Sequence, residues 1–597
     1  MSHLIAISVG PVQEFIAAAR RTRDLWFGSY LLSEISRAVA KSVEADGGKL
    51  IFPASSAAEN VANVILAELP AGEPKTVAAQ AKLAAQKRWL AFAAEVYDEA
   101  SRILRPEIWN EQVEDVIEFY AAWVRTTSDY KTDRQKLMRL LAGRKNLRDF
   151  LPATGRAGVP KSSLDGQRES VLKDPARESW PERFRTRLRL REGEQLDVVG
   201  LAKRVAGGSR PYPSVSRVAA DPWVRGNHGK RAFEELKAAC ERLPANVLHR
   251  LDRERFPQFQ VFPYEGVAVY VSRHCEWEEE IDEEDFLSLA DIRDALKRLP
   301  EPSPYLAVLV ADGDRMGATI SSLKSTDDHR ALSKTLAGFA NEARRIVDQH
   351  NGVLVYAGGD DVLAFLPVDQ SLACAQQLRD KFVMLLEQYK DDKGQSPTFS
   401  VGLAIGHFME NLEDLLEYGR AAEKAAKDVP GKDALAVHLH KRGGAPIQIR
   451  GRWGDPQPPD KKLRHFAELM NQGIIPTKLA YELREMAKLY QVREENPSQL
   501  LVDAVKEGSG ADPLSTDCSV ALREYVCDAI RHDLLRLIAK KASRGLRTVR
   551  EALSVFINDM NSERLMTFAR ELLIARQIAT ALRQAAGQSD ANEEGLS

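Results

Sequence analysis

Two apolar runs break at acidic turns, and the pairing of those turns limits the folds open to this chain more than any other feature. YLAVLVADGDRMG reaches Asp312, Gly313 and Asp314, and GVLVYAGGDDVLAFLP carries Gly358, Gly359, Asp360 and Asp361 between two apolar halves. Continuous apolar runs of this length read as strands covered on both faces, the second folded into a hairpin. A helical stretch to about Gln349 separates them. A helix from about Leu372 to Tyr389 then leads to the strand TFSVGLAIGHF, followed by LEDLLEYGRAAEKAAK and ALAVHLHK. The order β-α-β-β-α-β is the ferredoxin-like arrangement. Its first strand and its second-third hairpin finish at one edge, so Asp312 is expected beside Asp360 and Asp361.

Such a gathering of carboxylates predicts two bound Mg²⁺ (or Mn²⁺) ions on Asp312, Asp360 and Asp361, with water and a triphosphate completing their shells. One ion lowers the pKa of an attacking 3′-hydroxyl while the other stabilises the departing pyrophosphate. Gly358 and Gly359 allow positive φ and a close backbone approach to a nucleotide, with Gly313 and Asp314 expected at the same end. Lys427 and Lys432, in AAKDVPGKDALAV, are placed to neutralise phosphate charge. A Gly-Gly-Asp-Asp string alone is an ordinary hairpin turn. The flanking strands, the upstream Asp-Gly-Asp and the lysines that follow the fourth strand make the combination specific.

The same order occurs earlier: LIAISVG, then the helical VQEFIAAARRTRDLWFGSYLL, the strand pair LIFPASS and NVANVILAEL, a helix over Val77 to Leu104, and VEDVIEFYAAWVR. A repeat at this separation reads as two copies of one fold. LIFPASS stands where LVYAGGDD stands, so the first copy lacks the acidic turn. The expected architecture is α+β in four parts: a degenerate cyclase-like unit over 1–126, a basic mixed helical part over 127–295, an intact palm-like unit over 296–445 and a helical bundle over 446–597. Joined palms would form a composite nucleotide cleft.

Charge enters at this point. The 597 residues carry 84 Lys plus Arg against 86 Asp plus Glu, which excludes a wholly basic nucleic-acid binder but not local basic surfaces. Residues 131–161 hold nine basic residues, Arg144 and Lys145 among them, against two acidic ones. In RFRTRLRLR, Arg183, Arg185 and Arg187 alternate, which in a strand lines them on one face. With Arg20, Arg21 and Arg23 beside the first helix, these are the expected contacts to RNA or a partner. Glu276 to Asp285 is a solvated acidic run. Five cysteines without a Cys-x-x-Cys pair point to a reducing, cytoplasmic setting. No apolar run is long enough to cross a bilayer, so no membrane partner is expected.

GPVQEFIAAARRTRDLWFGSYLL, KNLRDF, GVPKSSLDGQRE, PSVSRVAADPW, ADGDRMG, YAGGDD and IQIRGRW together resemble the large subunit of type III CRISPR effector complexes, of the III-B (Cmr) kind. The resemblance covers most of the chain. It implies guide RNA, target RNA and sibling subunits as partners, and conversion of ATP into cyclic oligoadenylate when target RNA binds. By the same resemblance Asp312, Asp360 and Asp361 fall on the metal-binding positions of the palm. Two departures are expected. The first strand begins within ten residues of Met1, leaving no room for an HD nuclease unit, and KSSLDG stands where many relatives place a Cys-x-x-Cys pair, so no zinc is expected. His532-Asp533 reads as part of an apolar helix. Two rival readings remain open: a silent scaffold subunit of the same complex, and a stand-alone diguanylate cyclase using GTP.

Overall fold

The computed structural model describes residues 2–147, 155–174, 193–206, 211–275, 285–495, 527–537 and 560–588, apart from 59, 165 and 246, together with 188, 190, 553 and 556. Arg183, Arg185, Arg187 and most of the acidic run from Glu276 lie outside the described residues.

Two sheets organise the chain. In the first, β1 (His3–Gly10), β2 (Lys49–Phe52), β3 (Val64–Leu69) and β4 (Glu118–Arg125) are ordered β2-β3-β1-β4, with β1 antiparallel to both neighbours. One face buries Ile5, Ile7 and Val9 under helices Thr22–Ala45 and Pro74–Ala100, through Leu31, Ile35, Trp89 and Phe92. The other buries Leu4 and Ala6 under Tyr130, Leu137 and Leu141 of helix Tyr130–Asn146.

The second sheet holds β5 (Tyr305–Asp314), β6 (Val353–Ala357), β7 (Asp361–Leu366), β8 (Thr398–His407), β9 (Ala434–Leu439) and β10 (Ile447–Arg452) in the order β10-β9-β8-β5-β7-β6. Strands β5 to β8, lying in the order β6-β7-β5-β8, repeat the order of the first sheet, and β9 extends the sheet in parallel to β8. Both faces are covered, which is why β5 reads as an unbroken apolar run. Ala307, Leu309 and Ala311 join helices Thr326–Gln349 and Val368–Leu386 and the C-terminal helices, whereas Leu306 and Val308 join helix Leu412–Lys427 and the stretch 212–296.

Two features differ from the sequence expectation. Residues 447–452, expected at the head of a helical part, form the edge strand β10, because Ile447 and Ile449 alternate with exposed Gln448 and Arg450. Helices Pro459–Asn471, Leu479–Glu495 and Ser562–Ala585 share one core with the second sheet, through Leu463, Phe466, Leu483 and Leu572. The described part of 127–295 is divided likewise: residues 130–141 and 171–206 pack on the first sheet and 212–296 on the second.

The two units meet reciprocally. Helix Thr22–Ala45 of the first lies against β6 of the second, and helix Thr326–Gln349 of the second lies against β2 of the first. This is the pattern of an isologous two-fold contact, here within one chain. The Tyr130 hydroxyl and His329 Nδ1 are 2.8 Å apart across the seam, and Arg330 Nε donates to the Leu50 carbonyl at 2.8 Å.

Candidate active site

Register places the two acidic turns side by side. Asp312 of β5 is paired directly with Asp361 of β7, so their side chains leave the same face of the sheet. Asp360 is one residue back in the turn, whose carbonyl accepts from Gly313 N at 2.9 Å, while Gly358 N donates to the Asp361 carbonyl at 3.0 Å. Gly359 holds φ +123°, open only to glycine at low cost. At Gly313 a Cβ would stand 2.8 Å from Met316 Cγ and Phe382 Cζ, so the crossing of strand and turn needs a residue without a side chain.

Helix Leu412–Lys427 covers this face and delivers Lys427 from its last turn, where the helix dipole favours a cation. The Lys427 ammonium bonds Asp312 Oδ2 and lies 3.2 Å from Glu423 Oε1. Burial and the nearby Lys432 pull the Lys427 pKa down to about 8. Burial and then the Asp361 charge push Asp360 up to about 6, and burial raises Asp361. Carboxylates crowded in this way lack positive charge.

Asp314 does not stand where a nucleotide would touch it, which corrects the sequence expectation. It is fully buried, and its Oδ2 accepts from Thr398 Oγ1 at 2.9 Å, Ser400 Oγ at 2.8 Å and Asp433 N at 3.0 Å. It thereby anchors the loop that carries Lys432. Gly431, Lys432 and Asp433 are consecutive left-handed residues with φ of 86°, 57° and 50°. Arg379 secures that loop with two bonds to the Asp433 carboxylate, at 2.9 and 2.6 Å. Strain in non-glycine residues persists where the surroundings over-determine it, and such places cluster at ligand sites.

Sequence reasoning missed two residues here. Glu423 precedes Lys427 by one helical turn, a spacing that would have revealed it. Asn60, in the β2–β3 connection of the first unit, donates to the Ala357 carbonyl at 3.2 Å and so brings that unit to the edge of the acidic turn. No sequence signal marks it.

The remaining candidates are scattered. Arg20 is exposed and bonds the Ser163 carbonyl at 2.8 Å, Arg21 is half-buried, and Arg144 and Lys145 are exposed. Arg23 is buried and donates to the carbonyls of Lys203, Arg204 and Ala206 at 2.6, 2.8 and 3.2 Å, closing the C-terminus of helix Val198–Val205. It has no surface for RNA. Ser162 is buried beside Asp197, and the Asp533 carboxylate accepts from the Tyr490 hydroxyl at 2.8 Å.

Among the described residues, no three His, Cys, Asp or Glu side chains are grouped closely enough to hold a metal ion. Asp312, Asp360 and Asp361 nevertheless suit hard divalent cations chemically: oxygen donors, deficient in positive charge, with Lys427 supplying that charge to Asp312.

A four-stranded unit of this order, with paired carboxylates at the end of its first strand and in its second-third hairpin, has the arrangement of a palm domain. Residues 305–436 match the family model described as Cas10/Cmr2, second palm domain, and residues 4–182 match that of CRISPR-associated protein Cmr2, N-terminal. The chain belongs to the Cas10/Cmr2 family, the large subunits of type III-B (Cmr) CRISPR effector complexes. It is 36% identical over 202 residues to the CRISPR system Cmr subunit Cmr2 of Pyrococcus furiosus, a stretch covering 29% of this chain and 23% of that protein. Its fold is shared with a chain of the type III-B Cmr-beta complex in the apo state, at TM-score 0.60 and 13% identity over 97% of this chain and 82% of the other. The same complex bound to cognate target RNA gives TM-score 0.60 and 14% identity over 97% and 83%.

Proposed function

We propose that this chain is the catalytic subunit of an RNA-guided effector complex and joins ATP into cyclic oligoadenylate at the Asp312, Asp360 and Asp361 edge when target RNA is bound. The observation that carries the reading is the direct pairing of Asp312 with Asp361 beside Asp360. Family membership supports the reaction class, and the fold shared with a chain of a complex bound to target RNA supports the partners.

The three carboxylates are the residues that would hold divalent ions, whose Lewis acidity serves the attacking hydroxyl and the departing pyrophosphate. The chain's own groups do the rest. Lys427 leaves Asp312 for phosphate oxygens when nucleotide enters, and Lys432, on its rigid loop, neutralises the same triphosphate. Gly358 and Gly359 admit the nucleotide close to the backbone. Asn60 contributes the wall from the first unit, which makes the cleft composite.

The test is incubation of the assembled complex with radiolabelled ATP and Mg²⁺, with and without complementary target RNA, beside Asp360→Ala/Asp361→Ala. Target-dependent cyclic oligoadenylate that vanishes in the variant is expected. No product under any condition, with RNA binding intact, would make the subunit a scaffold and the turn a remnant.

A further inference from the structure

Of the nine basic residues between 131 and 161, the structure leaves few with free heads. Lys131 bonds Asp392 at 2.9 Å, Arg156 bonds Glu111 at 2.6 Å and Lys161 bonds Glu169 at 2.5 Å. Arg134 is buried and Arg148 lies outside the described residues. Lys136, Arg139, Arg144 and Lys145 remain, all exposed on helix Tyr130–Asn146, and among the described residues none of their side chains makes an ion pair or hydrogen bond.

The helix offers these cations no acid on its solvent side. Asp133 is buried and spent on the Thr127 amide and hydroxyl, and Asp129 caps the helix through Thr132. Arg144 and Lys145 gain from the helix dipole in the last turn. Lys136 and Arg139 gain nothing there, and as like charges three residues apart they cost helix stability. Gly143 follows at the spacing that continues their row. Space around it is open, and it weakens an exposed helix by about 1 kcal/mol against Ala. Arg144 and Lys145 follow buried Leu141 by three and four residues, on the side the helix packs, and are exposed because they lie in its last turn. Two unpaired cations leading to bare backbone, with two more at the helix end, make a surface onto which a polyanionic strand can settle closely.

We propose that the solvent face of helix Tyr130–Asn146, through Lys136 and Arg139, and its exposed last turn, through Arg144 and Lys145, bind the phosphodiester backbone of a single-stranded nucleic acid. The inference rests on charge and exposure alone, and its test contains no ATP, so its failure and that of the nucleotidyl-transfer reading are separate events. A labelled 12-nucleotide oligouridylate and an oligothymidylate of equal length are titrated with the full chain at several salt concentrations. The variant is Lys136→Gln/Arg139→Gln/Arg144→Gln/Lys145→Gln, with Lys75→Gln/Lys82→Gln on the exposed face of helix Pro74–Ala100 as control. The first variant should lose at least about tenfold in affinity, and its salt slope should flatten by roughly 2–3, the release expected of about four phosphates on a single strand. The loss should be equal for both strands, since the contacts read phosphate, and the control should bind as wild type. Unchanged affinity and slope would overturn the proposal, as would a loss confined to one of the two strands. A quadruple variant that binds both strands normally but no longer co-purifies with other subunits would also overturn it, making the helix a protein-facing surface.

Discussion

Asp24, Glu194 and Arg204 form a triad that water hardly reaches, each side chain at most 3% exposed, with Arg204 3.0 Å from Asp24 and 3.1 Å from Glu194. Next to it the Lys203 ammonium, also buried, bonds the carbonyls of Phe15 and Ala18. The RRTRDLW string thus serves folding: Arg23 and Asp24 are both consumed inside. Removing the cation that Asp24 and Glu194 share breaks two buried ion pairs at once, so Arg204→Leu should cost about 3–5 kcal/mol in urea unfolding. Asp24→Asn/Glu194→Gln added to it should recover part of that loss. Arg134 is the opposite case, a buried guanidinium whose Nε has no hydrogen-bond partner among the described residues and whose pKa burial lowers. Burying a charge without a counter-charge is costly. Arg134→Met is therefore expected to hold or raise the melting temperature by a few degrees, as differential scanning calorimetry would show.

At the scale of elements, helix Leu412–Lys427 is seated on β8 by contacts that tolerate no added atom. A Cβ on Gly402 would stand 2.0 Å from Glu423 N, and one on Gly419 would stand 2.8 Å from Val310 Cγ2. Gly402→Ala must push the helix outward and carry Lys427 and Glu423 away from Asp312. Its expected effects are a loss of stability of about 1–3 kcal/mol, from overpacking, and a nucleotide KM raised at least tenfold. Thermal melts and steady-state kinetics would check both. How far such elements are legible in sequence depends on what carries them. β5 and the β6–β7 hairpin are legible because burial on both faces writes continuous apolar runs, and the meeting of Asp312 with Asp361 follows from strand order. β10 is not, since two isoleucines on an edge strand make too short a pattern. Nor is the role of Asp314, whose partners Thr398 and Ser400 are ordinary strand residues far along the chain. Arg23 looked like a surface cation because its acceptors are backbone carbonyls, which leave no trace in side-chain identity.

The whole molecule turns on the seam between its two halves. There His329, 5% exposed, lies between Tyr130 and Phe52 of the first unit, and burial holds its pKa down to about 4. An unfolded histidine titrates near 6.5, so the unfolded chain takes up the proton first. The stability His329 contributes is whole above pH 6.5 and drains away as pH falls from 6.5 towards 4. His329→Gln should therefore lose roughly 2–3 kcal/mol less than wild type between pH 7.5 and 4.5 in denaturant titrations. Equal losses would mean that the seam opens by another route.

Because both halves of that seam belong to one polypeptide, their association has no dissociation constant to satisfy. Dilution cannot separate them, and one half is delivered to the other at the fixed local concentration that the intervening chain sets. A self-pairing single palm would have to keep acidic residues in every copy and would present two equivalent edges. A tandem pair presents one, and the other turn, which carries no carboxylate pair, is left to serve as contact, as Asn60 against Ala357 already does.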